Sequence, residues 1–107
     1  MRYKSIEIYY DVSAIPGIDK DDLGAALNFR NAAMERVERA LEEAGEGKWT
    51  GAEIGGNFET GEAEVNFGFQ VQDFDRAEAI VRWAVADTPY DCIREITRHE
   101  DDEDFTR

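Results

Sequence analysis

Alternation is the first pattern along the chain. Over residues 2–12, Ile6, Ile8, Tyr10 and Val12 fall on one side and Tyr3, Ser5, Glu7 and Tyr9 on the other. That is the two-residue period of a half-buried strand. Ser13-Ala14-Ile15-Pro16-Gly17 reads as a turn. The period then lengthens. Over residues 19–44, Leu23, Leu27, Met34, Val37, Leu41 and Ala44 recur at helical spacing, with Ala26, Ala33 and Ala40 beside them. Arg30 lies along the edge of this stripe with its stem packed. Asp19 or Asp22 supplies the cap and Gly45 the stop. Gly24 weakens the first turn, which moves the start of the regular helix toward Ala25.

Strict alternation returns over residues 62–71. Ala63, Val65, Phe67, Phe69 and Val71 point one way, and Glu62, Glu64, Asn66, Gly68 and Gln70 the other. A preceding strand over residues 48–58 is broken by Gly51, Gly55 and Gly56, the mark of a bulge or an edge. Glu59-Thr60-Gly61 is the turn between the two. A second helix covers residues 74–87, capped by Asp73 and ended by Pro89, with Phe74, Ala77, Ile80, Val81, Ala84 and Val85 buried and Trp83 at the rim. Residues 91–99 form a last strand in which Ile93 and Ile96 are out of phase by one, so a bulge or an edge position is expected.

The order strand, helix, strand, strand, helix, strand predicts an α+β chain. Its expected architecture is a ferredoxin-like βαββαβ sandwich, with a four-stranded antiparallel sheet in the order 4-1-3-2 and two helices on one face. Residues 1–99 make a single domain and residues 100–107 an acidic tail.

Charge narrows the functions open to this fold. Against 12 Lys and Arg stand 25 Asp and Glu, a net charge of −13 over 107 residues, and no stretch is basic. Phosphate backbones and anionic membrane surfaces are recognised by Lys and Arg, so neither nucleic acid nor membrane is an expected partner. With no membrane span and no signal-peptide pattern, a cytoplasmic location is expected. Asn66-Phe67-Gly68-Phe69-Gln70-Val71 looks like the aromatic motif of RNA-recognition modules. Phase decides against it. Exposing Phe67 and Phe69 would turn Glu62 and Glu64 into the core, and burying unpaired carboxylates costs several kcal/mol each.

The uncovered sheet face is the candidate binding surface. It carries Tyr3, Glu7, Tyr9, Glu62, Glu64, Asn66 and Gln70. Mixed aromatic and acidic groups there suit a solvated face, a dimer interface, or a cation site on Glu7, Glu62 and Glu64. No metal centre or cofactor is predicted. Catalytic groups are scarce: Cys92 and His99 are single, and seven residues apart they form a dyad only in a special geometry. Gly55-Gly56-Asn57 lacks the Lys and the helix start of a phosphate loop.

Between residues 47 and 77, Gly47, Trp49, Gly51, Glu53, Ile54, Gly55 and Gly56, followed by Phe67, Phe69 and Asp73, resemble a group of small uncharacterised bacterial proteins. The resemblance covers about a third of the chain and implies the ferredoxin-like fold, but no activity. Some neighbours of that kind look like immunity proteins against secreted toxins. The expected function is a small, non-enzymatic protein-interaction module, an immunity- or inhibitor-type binder of a basic partner. The alternative is a small-molecule-binding or regulatory domain, homodimeric through the open sheet face. An enzyme using face carboxylates in a dimeric barrel ranks below both.

Overall fold

The computed structural model describes residues 2–19, 21–56 and 63–102. Strand β1 (Arg2–Asp11) leads through a short 3-10 turn into helix α1 (Leu23–Glu43). The hairpin strands β2 (Gly47–Gly56) and β3 (Ala63–Val71) follow, then helix α2 (Phe74–Val85) and strand β4 (Glu95–Asp102). The strands pair antiparallel in the order β2-β3-β1-β4. The turn at 59–61, Glu62 and residues 103–107 lie outside the described residues.

One face of the sheet builds the core. Ile6, Ile8 and Tyr10 of β1 and Val65, Phe67 and Phe69 of β3 are fully buried beneath Ala33, Val37 and Leu41 of α1 and Ala77, Val81 and Val85 of α2. Tyr10 meets Phe29 edge-on at 5.2 Å between ring centroids and donates its hydroxyl to the Tyr90 carbonyl at 2.8 Å. That bond satisfies the polar end of a ring that is otherwise inside. Phe67 and Phe69 are therefore core residues, not a stacking platform.

The sheet expected from the sequence is corrected at its last strand, which runs over Glu95–Asp102 and not over residues 91–99. Pro89–Asp91 make a 3-10 turn in which the Thr88 hydroxyl accepts from the Tyr90 N–H at 3.1 Å. β4 begins four residues later than expected and continues to Asp102. This resolves the phase conflict: Ile93 precedes the strand, and Ile96 sits opposite Ile8. It also places Glu100, Asp101 and Asp102, expected in the tail, in backbone register with Lys4, Tyr3 and Arg2.

The stripe of α1 keeps Val37 and Leu41 with Ala26 and Ala33, as expected, but takes in Phe29 and leaves out Leu23. Its buried residues are Ala26, Phe29, Ala33, Val37 and Leu41, whereas Leu23 is 47 % exposed. Asp22 is the cap, accepting from the Ala25 N–H at 3.0 Å. α2 ends at Val85, two residues short of the expected bound, and Asp87 turns the chain with φ 61°. The bulge suggested by the glycines lies in β2, between Trp49 and Gly51.

Glu46 joins the layers. Gly45, at φ 66°, closes α1 and turns the chain back, so that Glu46 is only 2 % exposed. Its Oε1 accepts from the backbone N–H groups of Gln72 at 2.9 Å and Asp73 at 2.6 Å. Its Oε2 lies 3.4 Å from Arg76. A carboxylate thus occupies the positive end of α2, where the first amides lack helical partners.

Candidate functional site

Side chains that alternate away from the core share the uncovered face of the sheet, since both helices pack on the other one. β1 contributes Ser5, Glu7, Tyr9 and Asp11; β3 contributes Glu64, Asn66 and Gln70; β4 contributes Glu95, Thr97 and His99. Cross-strand register sets Tyr9 between Asn66 and Glu95, and Glu7 between Gly68 and Thr97. The structure therefore brings five predicted residues, Glu7, Tyr9, Glu64, Asn66 and Gln70, to one surface. Tyr3 stands further along β1 in register with Asp101, and Glu62 falls outside the described residues.

Arg94 organises one end of this face. Its backbone N–H donates to the Tyr9 carbonyl at 2.8 Å, which fixes the residue just ahead of β4. Nη1 donates to Asp11 Oδ1 at 2.7 Å and to Glu64 Oε1 at 2.9 Å, and Nη2 to Glu95 Oε1 at 2.9 Å. The guanidinium also lies 5.3 Å from the centre of the Tyr9 ring. Asp11 and Glu64 are direct partners across β1 and β3, and like charges in that position repel. The guanidinium relieves the repulsion. Burial works against its charge, but the hydrogen bonds to Glu64 and Asp11 outweigh this and raise its pKa further.

The middle of the face is a chain of polar contacts. The Tyr9 hydroxyl donates to Glu7 Oε2 at 2.6 Å. Burial first, and this bond to a carboxylate second, push the phenol up to about 12. Glu7 Oε1 lies 3.7 Å from His99 Nε2, and that same nitrogen is 3.0 Å from Thr97 Oγ1.

Thr97, His99 and Glu7 do not form a nucleophile relay. A relay needs the hydroxyl on one ring nitrogen and the carboxylate on the other, and here both meet Nε2. The Cys92–His99 dyad is not formed either. The Cys92 thiol donates to the Pro89 carbonyl at 3.5 Å and is pushed up by burial, while His99 has the partners just named. Glu7 and Glu64 turn to different partners, Tyr9 and Arg94. Among the described residues no group of three or more His, Cys, Asp or Glu could hold a metal ion.

Arg94, Asp11, Glu95, Thr97 and His99 complete the surface and were not among the expected site residues. The signal for the first two was the register of β1 on β3: once Asp11 faces Glu64, a cation is needed nearby.

Among the described residues no helix is long and apolar enough to cross a membrane. Comparison with protein-family models and with curated proteins finds no match. The surface has to be read from its own chemistry.

Proposed function

We propose that the chain is a small acidic protein-binding module that presents its uncovered sheet face to a basic partner, as an immunity- or inhibitor-type binder does. One observation carries the reading. Glu7, Asp11, Glu64 and Glu95 converge around Tyr9 on a face that neither helix covers, and Arg94 bonds three of the four carboxylates. The acidic surplus extends through the chain, at −13 overall. Complementary charge speeds encounter and selects the partner, and an aromatic group amid polar ones supplies contact area. The same surplus opposes stacking two copies face to face. A cytoplasmic setting belongs to this reading.

Affinity capture with the full chain as bait tests it, run beside Glu7→Lys and Glu95→Lys baits whose folding is checked by circular dichroism. The expected result is a basic protein held by the native bait, released as salt rises, and lost from both variants. A partner that both variants retain, or one indifferent to salt, overturns the reading.

A further inference from the structure

The helix layer, on the far side of the molecule from the sheet face, contains a groove of about 330 Å³. One stripe of α1 forms a wall, at the three- and four-residue steps that place side chains on one helix face. Ala32 and Ala40 leave room on that stripe, and Arg36 and Arg39 stand between them. Trp83 of α2 and Tyr90 line the groove across from it.

Three features of these residues lack a structural explanation. Trp83 is 77 % exposed, although a neighbouring turn of α2 buries Val81, Ala84 and Val85. An indole left in water at the mouth of a groove is a surface for stacking. Arg36 spends its Nε on the Ala84 carbonyl, and neither of its Nη atoms has a partner among the described residues. Arg39 makes no hydrogen bond or ion pair among the described residues, although Glu35 and Glu43 lie four positions before and after it, the spacing at which helix ion pairs form. In a chain of −13, two guanidiniums thus line a common cavity beside an exposed indole.

We propose that this groove binds a small planar aromatic carboxylate, its ring against Trp83 and its carboxylate between Arg36 and Arg39. The planar fork of a guanidinium matches a carboxylate. The volume lies at the small end of ligand pockets and suits an acid of one or two rings. Glu35 and Glu43 also line the groove, so its charges balance. That balance favours a monoanion over a doubly charged phosphate. The site is separate from the sheet face, and its test does not depend on the basic partner.

The test is titration of the isotope-labelled full chain with 1-naphthoate, 1-naphthyl phosphate and 1-naphthalenemethanol, followed by amide and indole chemical shifts. Naphthoate is expected to shift the Trp83 indole N–H and the amides of residues 32–43 saturably, and to leave the sheet face unmoved. It should bind about tenfold or more tightly than the neutral alcohol, an advantage that Arg39→Gln removes. Trp83→Ala, which empties no core position, should weaken all three probes. Equal binding of acid and alcohol, unchanged binding in Arg39→Gln, or no saturable shift with millimolar naphthoate overturns the proposal. Tighter binding of the naphthyl phosphate overturns the carboxylate assignment.

Discussion

The Tyr9 hydroxyl donates a 2.6 Å hydrogen bond to the carboxylate of Glu7, two positions earlier on the same strand face. The phenol's pKa rises from 10.0 to about 12, so it is higher in the folded chain than in the unfolded one. Below pH 10 the proton is bound in both states and the contribution to stability is complete. As pH climbs toward 12 the unfolded chain releases that proton while the folded one keeps it, so stability falls across this window. Urea denaturation of Tyr9→Phe at a series of alkaline pH values should show a shallower decline than the native chain. An identical slope would show that burial and the bond to Glu7 do not raise the phenol in the folded chain.

Arg94 gathers Asp11, Glu64 and Glu95, and the first two are largely shielded from water. Arg94→Met should leave two facing carboxylates without their counter-charge and cost about 1–3 kcal/mol, between the values for exposed and for buried pairs. Arg94→Lys keeps the charge but puts its donors on one nitrogen and loses the fork that spans the three carboxylates, so its loss should lie between the native protein and the methionine variant. Equilibrium unfolding in urea orders the three proteins.

Glu46→Ala should be among the costliest polar substitutions in the molecule. It strips the acceptor from the Gln72 and Asp73 amides, for an expected loss of about 2–4 kcal/mol. Glu46→Gln keeps an acceptor oxygen without the charge and should fall between that variant and the native protein. Differential scanning calorimetry reads this as a lowered Tm in the same order.

Phe29 and Leu23 form a matched pair on α1. Phe29→Ala opens the core beside Tyr10 and should cost about 3–5 kcal/mol. Leu23→Ala removes a half-exposed side chain from the first turn and should cost less than about 1 kcal/mol. Equal losses on denaturation would mean that the buried stripe had been misplaced.

That pair also shows how far the sequence could be read. Where the period is two, the reading was unambiguous: Ile6, Ile8, Val65, Phe67 and Phe69 could only be inside together, and Glu7, Tyr9, Glu64 and Asn66 only outside. A helix with hydrophobic residues at many angles admits several stripes. Leu23 draws the eye to one of them, and Phe29, which the spacing did not single out, occupies the one that faces the sheet with Ala33 and Val37. The start of β4 was hidden for a different reason. Pro89 and Thr88 organise a local turn just ahead of it, and the phase conflict between Ile93 and Ile96 signals an irregularity without saying that the strand starts after Ile93. Arg94 could not be placed at all before the cross-strand register was known.

Glu46 has a consequence for pairing. Gly47 opposes Val71 at the first rung of the β2-β3 ladder, and the carboxylate of the residue before it holds the amides of the two residues after Val71. β2 is a glycine-interrupted edge strand, the type in which alignment is weakly enforced by side-chain packing. A slip of one position would carry Glu46 about 3.3 Å along the strand, out of reach of both amides. The buried carboxylate therefore acts as an alignment pin for the hairpin, selecting one pairing of an edge whose own residues could tolerate others.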